Sequence, residues 1–137
     1  MPSWPTAIAE EHFAQARIGH LATVTPDGRP HVVPVCFALH AGVVYTAVDA
    51  KPKARTALAR LANVRATGRA SVLVDHYEED WSRLWWVRVD GPADVVDSPA
   101  AIDALAAKYA QYRAERPTGP VIAVTPDRWR SWAATSS

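Results

Sequence analysis

Six cations and no carboxylates lie between Ala50 and Val74: Lys51, Lys53, Arg55, Arg60, Arg65 and Arg69. The chain has 15 Lys and Arg against 14 Asp and Glu, so outside this segment it carries 9 basic and 14 acidic side chains. A mildly acidic chain has gathered its positive charge in one place. The segment follows a strand-like run, Val43 to Val48. A strand leading into a basic loop and a helix suits an anion, because cations and helix N-terminal amides converge there. Lys51 and Lys53 supply point charges, Arg55 a forked donor pair, and Thr46, beside Tyr45, a hydroxyl. A solvated helix face would use the same residues, but such faces ordinarily mix signs and this one does not.

Trp81, Trp85 and Trp86 fall within six positions, shortly after Tyr77. They offer a flat ring a surface to stack on, or they pack a core or an interface. Trp85 and Trp86 are neighbours on a strand and so face opposite sides. One of them then needs a second burial surface, which a homodimer interface would provide. Asp75, Glu78, Glu79 and Asp80 with His76 match no ligand spacing, so they read as a solvated loop and no metal site is expected. His31 heads a strand and is either a ligand donor or plain surface. Cys36 has no Cys or His at a telling distance and reads as a buried apolar filler. Nucleophile-elbow, Walker, GxGxxG and CxxC patterns are absent from the sequence.

These residues need elements to hold them. Trp4 to Ile18 reads as a helix with Pro5 in its first turn, Ile8, Phe13 and Ala16 inward, and Gly19 as its end. His20 to Thr25 and His31 to Leu39 read as strands joined by the turn Thr25-Pro26-Asp27-Gly28. Pro34 marks an edge or a bulge. His40-Ala41-Gly42 turns into Val43 to Val48, which completes a three-strand meander. Lys51 to Leu61 is expected to be helical with Leu58 and Leu61 inward. Ala70 to Asp75 reads as a strand buried on both faces, and Arg83 to Val96 as a long strand bent at Gly91-Pro92. Ser98 caps a helix with Pro99 at its first position. Val121 to Thr125 is the last strand, and Asp127 to Trp132 an aromatic-basic tail.

Six strands and three helices with short connections predict a mainly β protein of α+β type, antiparallel, in one domain spanning residues 1–137. One cysteine excludes an internal disulfide and fits a reducing compartment. With no signal-type or membrane-spanning apolar run, the expected location is cytoplasmic, without a membrane partner. A net charge of +1 argues against a nucleic-acid partner.

The run Leu21 to Val35, with Thr25-Pro26-Asp27-Gly28-Arg29-Pro30 at its turn, resembles the opening hairpin of the pyridoxamine 5′-phosphate oxidase-like, FMN-binding split β-barrel superfamily. Val44-Tyr45-Thr46 followed by Lys51-Pro52-Lys53 is similar to that superfamily's strand and phosphate segment. Asn63-Val64 into Ser71 to Asp75 is similar to its next helix-to-strand step. Asp80 to Gly91, and Gly119 to Val124 with Arg128-Trp129, resemble the actinobacterial branch of deazaflavin (coenzyme F420)-dependent proteins.

The resemblance implies a six-stranded antiparallel split β-barrel that forms a homodimer with cofactor sites at the interface. It places the ring along Val33, Pro34, Val35 and Cys36 and against Tyr45 and Thr46. It places the phosphate on Lys51, Lys53 and Arg55, and takes Tyr77, Trp81 and Trp85 from the second subunit. Flavin-binding members often carry Arg near Val33, so the apolar residue there favours coenzyme F420 over FMN. Arg60, with Arg65 and Arg69, would extend a cationic track along the polyglutamate tail of F420. The expected activity is hydride transfer from reduced F420 to an unsaturated small molecule. The alternatives are an FMN-dependent oxidoreductase of the same fold and a non-catalytic binder of a cofactor or porphyrin-type ligand.

Overall fold

The computed structural model describes residues 3–48 and 55–135, with residues 55–57 described by backbone only. The order is α1 (Thr6–Gln15), β1 (Gly19–Val24), β2 (Pro30–Val35), β3 (Ala38–His40), β4 (Val43–Ala47), α2 (Arg55–Thr67), β5 (Arg69–His76), a 3-10 turn (Trp81–Arg83), β6 (Trp85–Val96), α3 (Pro99–Lys108), α4 (Ala110–Ala114), β7 (Val121–Val124) and β8 (Arg128–Ala133). Every strand pair is antiparallel, as the short connections predict.

The sheet runs β2-β1-β5-β6-β7-β4-β3, with β8 added on β6. Its two end strands, β2 and β3, are separated in the chain only by Cys36 and Phe37. Val35 and Ala38 are three residue steps apart, roughly 11 Å at most, so the two end strands of the sheet lie near one another. This corrects the expected meander. The second strand breaks at Cys36-Phe37, and β4 pairs with β3 and β7, with no pairing to β2. The physical cause is visible at the break. Tyr109 Oη accepts from Phe37 N at 3.1 Å, and Thr46 Oγ1 donates to the Cys36 carbonyl at 2.8 Å. Side chains satisfy the backbone there, so no ladder is needed. The break and the added β8 make eight strands where six were expected. The antiparallel class with flanking helices stands.

Pro34 lies on β2, the end strand of the sheet, where proline is tolerated. The Ala41-Gly42 turn has φ of 50° and 80°, the double left-handed geometry of a two-residue hairpin. Ser98 Oγ accepts from Ala101 N at 3.1 Å, with Pro99 opening α3. β6 pairs with β5 and β8 up to Pro92 and Asp90, then with β7 from Ala93. The corner is at Gly91, where a Cβ would lie 1.9 Å from the Thr125 carbonyl oxygen.

Other expectations shift. α1 ends at Gln15, and Gly19 opens β1. Phe13 and Ala9 are its buried residues, while Ile8 is exposed. On α2, Leu61 is buried and Leu58 exposed. β5 alternates, with Ala70, Val72 and Val74 buried, so it is covered on one face only. Asp127 to Trp132 is no free tail, since β8 pairs along β6 from Asp90 to Trp85. The main core holds Phe13, Leu21, Phe37, Val72, Val87 and Val89, and a second cluster holds Ala38, Ala101, Leu105 and Val121 under α3. α1 packs on β6 and β8, α2 on β1 and β6, and α3 on β3 and β4. None of the described helices is long and apolar enough to cross a membrane.

Candidate functional site

Parity builds the site. Val87 and Val89 point into the core, so Trp86 and Arg88 point outward on β6. Register places Asp75 and Trp132 on either side of Trp86, and Leu73 and Arg130 on either side of Arg88. The continuing row crosses His20 to Pro34. On this outward face a pocket of about 360 Å³ opens at the end of β5, bounded by Leu73, Asp75, Tyr77, Trp85, Trp86 and Trp132. Its size falls in the usual range for small-ligand sites, and its walls are largely ring faces.

Charged groups stand at its rim in fixed positions. Arg88 Nε donates to Asp90 at 2.9 Å, and Ser71 Oγ donates to the same carboxylate at 2.6 Å. Burial opposes the charge on Asp90, but these donors outweigh it and hold its pKa below the usual carboxylate value. The Arg88 guanidinium carbon lies 6.0 Å from the Trp86 ring centroid. Beyond the rim, Glu78 Oε2 meets both His76 Nε2 and, at 3.2 Å, Arg83 Nε. The His76 contact is the largest cause of the lowered Glu78 pKa; burial opposes it, and Arg83 adds to it. Asp80 Oδ1 accepts from Ser82 N at 3.1 Å and caps the 3-10 turn. The loop from Tyr77 to Leu84 is therefore stapled at both ends.

The predicted residues divide into two groups. Tyr77 and Trp85 border the pocket. Trp81 is exposed and lies off its wall. Trp85 and Trp86 do face opposite ways: Trp85 lies 5.5 Å from the Trp4 ring and packs on the main core, whereas Trp86 faces outward beside Trp132. The other group surrounds the second core cluster, where Cys36 and Tyr45 are half-buried. Thr46 is buried, and its hydroxyl donates to the Cys36 carbonyl. Val35 is buried in the main core and Val33 packs against it, while Pro34 is exposed.

Among the cations, Lys51 and Lys53 lie outside the described residues, as does the Arg55 side chain. Arg60 is half-buried, and its Nε has no acceptor among the described residues. Burial lowers its pKa, and Tyr112 opposes this. Arg69 is paired with Asp127 at 2.9 Å, which takes it out of a free cationic track. His31 sits opposite Thr23, with Nδ1 buried and unpartnered among the described residues, and does not line the pocket.

Sequence reasoning missed Leu73, Asp75, His76, Arg88 and Trp132 as pocket residues. Asp75 was read as a strand end and also, with His76, as part of a solvated acidic cluster; β5 runs through both residues. The signal for Trp132 was the alternation Arg128-Trp129-Arg130-Ser131-Trp132, which reads equally as a strand.

The seam, the open sheet face and the ring-lined pocket define the split-barrel class. The chain belongs to the pyridoxamine 5′-phosphate oxidase family, whose pattern matches residues 6–133. No curated protein matches the chain. Among solved structures, a conserved hypothetical protein of Mycobacterium tuberculosis is 23% identical with TM-score 0.72, covering 94% of this chain and 84% of that one. A FAD-binding protein of Mesorhizobium loti is 20% identical with TM-score 0.71, covering 93% and 91%. The haem storage protein of Vibrio cholerae is 17% identical with TM-score 0.69, covering 97% and 95%. At these identities the likeness is one of fold.

Proposed function

We propose that the chain is a homodimeric, cytoplasmic oxidoreductase that binds coenzyme F420 and passes a hydride from its reduced form to an unsaturated small molecule. The observation that carries this reading is the pocket walled by Trp85, Trp86, Trp132 and Tyr77 on the outward sheet face of a family member. Flat walls suit a tricyclic ring. The fit on the anionic side is supported by Arg60, a half-buried guanidinium with an unmet Nε. Lys51, Lys53 and Arg55 are the proposed phosphate ligands. Cys36 and Tyr45 do not line the pocket, so the complete site would take Tyr77 and Trp85 from one copy and the Cys36, Tyr45, Arg60 side from the other.

The deazaflavin would supply the hydride chemistry when bound. The chain's own part is to stack the ring, exclude water with its indoles and hold the anionic tail. A flavin is the second reading, supported by the similar fold of the FAD-binding protein of Mesorhizobium loti. The fold of the Vibrio cholerae haem storage protein supports a test with haem as well.

The deciding experiment is titration of the purified protein with F420, FMN, FAD and haem, followed by mixing with reduced F420 and a panel of conjugated acceptors. Tightest binding of F420 with oxidation of its reduced form supports the proposal. Tighter binding of a flavin or haem, or binding without turnover on any acceptor, replaces it with the corresponding alternative.

A further inference from the structure

Behind Trp85 lies a second cleft of about 440 Å³, between α1 and the 3-10 turn. Trp4, His12, Arg83, Trp85 and Thr135 stand in its wall, and it shares Trp85, Leu84 and His76 with the ring pocket. We propose that this cleft binds a small aromatic carboxylate, with its ring against Trp85 and its carboxylate on the Nη edge of Arg83.

Two observations converge on this ligand chemistry. The first is the aromatic wall. Trp4 and His12 are stacked at 4.0 Å and 22°, and Trp85 meets them at 5.5 and 5.2 Å, so three rings are fixed against one another before any ligand arrives. The second is the guanidinium. Arg83 uses Nε on Glu78 at 3.2 Å, and among the described residues neither of its terminal nitrogens has an acceptor. That free edge is the fork that receives both oxygens of a carboxylate.

The surrounding charges agree. No carboxylate lines the cleft among the described residues. Glu78 is committed to His76 and Arg83 through Oε2, and Asp80 to Ser82 through Oδ1. His12 donates through Nδ1 to the Ile8 carbonyl at 3.0 Å, which leaves Nε2 without a partner among the described residues.

The test is titration of the full chain, free of cofactor, with benzoate and with benzamide, read by saturation-transfer NMR and tryptophan fluorescence. Benzoate is expected to bind saturably at roughly millimolar affinity, as suits so small a fragment. Benzamide, which has the ring without the charge, should bind at least about tenfold more weakly. Arg83→Gln should weaken benzoate by a similar factor, whereas Arg88→Gln, at the neighbouring pocket, should leave it unchanged. Absence of saturable benzoate binding, equal binding of benzamide, or loss on Arg88→Gln but not on Arg83→Gln overturns the assignment. The benzamide comparison needs no variant, so it holds whatever Arg83→Gln does to folding. The titration requires no cofactor, so its failure leaves the ring-site reading untouched, and failure of F420 binding leaves this one untouched.

Discussion

Tyr109 Oη lies 3.1 Å from both the backbone nitrogen and the carbonyl oxygen of Phe37, a residue 72 positions earlier in the chain. It also lies 3.0 Å from the Arg17 carbonyl. The phenol accepts from Phe37 N–H and donates to one of the two carbonyls. It therefore takes over the pairing that the sheet abandons where β2 ends and β3 begins. Tyr109→Phe keeps the ring and removes this service. It should destabilise the fold by about 1–3 kcal/mol, the cost of leaving buried backbone groups unmet. Denaturant unfolding measures this. A change within a few tenths of a kcal/mol would show that water replaces the phenol and that Tyr109 does not hold the seam.

Gly91 turns the corner of β6 because nothing larger fits. A Cβ there would meet backbone, at 1.9 Å from the Thr125 oxygen and 3.1 Å from Asp127 N. Those groups are pinned by Thr125 N to Pro92 O at 2.9 Å and Asp127 N to Asp90 O at 3.0 Å. Neither a rotamer change nor a side-chain shift relieves the clash. Gly91→Ala should cost about 3 kcal/mol, the upper end for overpacking. Gly28→Ala is the comparison, since its turn has φ of 90° but open space around the Cβ. If the two variants melt at the same temperature, steric closure at the corner is not the reason for Gly91.

Lys108 is a half-buried cation whose ammonium is itself buried. Its Nζ rests 3.9 Å from the Phe37 ring centroid and has no hydrogen-bond partner among the described residues. Burial pushes its pKa down from 10.5 to about 8, and the nearby Arg17 adds to this, while Cys36 opposes it. A base with a depressed folded-state pKa binds fewer protons folded than unfolded between about 8 and 10.5. Stability therefore rises with pH across that window. Below pH 8 the penalty is fully present, and above 10.5 it is gone. Tyr109, with its pKa raised first by burial, acts in the opposite sense only above pH 10. Subtracting Lys108→Met from the wild type over pH 7–10 isolates the effect. The difference should grow in favour of the wild type as pH rises, and a flat difference would mean the ammonium is hydrated.

Much of the fold was legible because local chemistry decides it. The Pro26-Asp27-Gly28 turn closes with Gly28 N donating to Thr25 O at 2.9 Å, and Ser98-Pro99 starts α3 as written in the residues. The break at Cys36-Phe37 was not legible, because its cause is Tyr109, far along the chain. β8 was hidden for a related reason: Trp132 becomes a strand residue only by pairing beside Trp86. For the candidate site, the parity of Trp85 and Trp86 was readable from the alternation alone. The fate of Thr46 was not, because its hydroxyl is claimed by a carbonyl on another strand. Arg69 was drawn into the basic track by composition, while the acid that neutralises it, Asp127, lies beyond the segment.

Trp86 and Trp132 are register partners on the outward sheet face, with Asp75 on the other side of Trp86. Both tryptophans are half-buried, and Val24 and Val32, exposed at 44% and 61%, lie on the same side of the sheet. An indole pair in such a setting does one of two things: it packs against a second copy, or it walls a ligand pocket. The proposed two-copy site requires both. Trp132→Ala should then lower the dimerisation constant and weaken F420 binding together, and raising the protein concentration should restore much of the lost affinity. Analytical ultracentrifugation alongside F420 titration at two protein concentrations measures the coupling. Weaker F420 binding that protein concentration does not rescue would place Trp132 in the pocket wall alone. An unchanged dimer with unchanged F420 affinity would remove this face from the site.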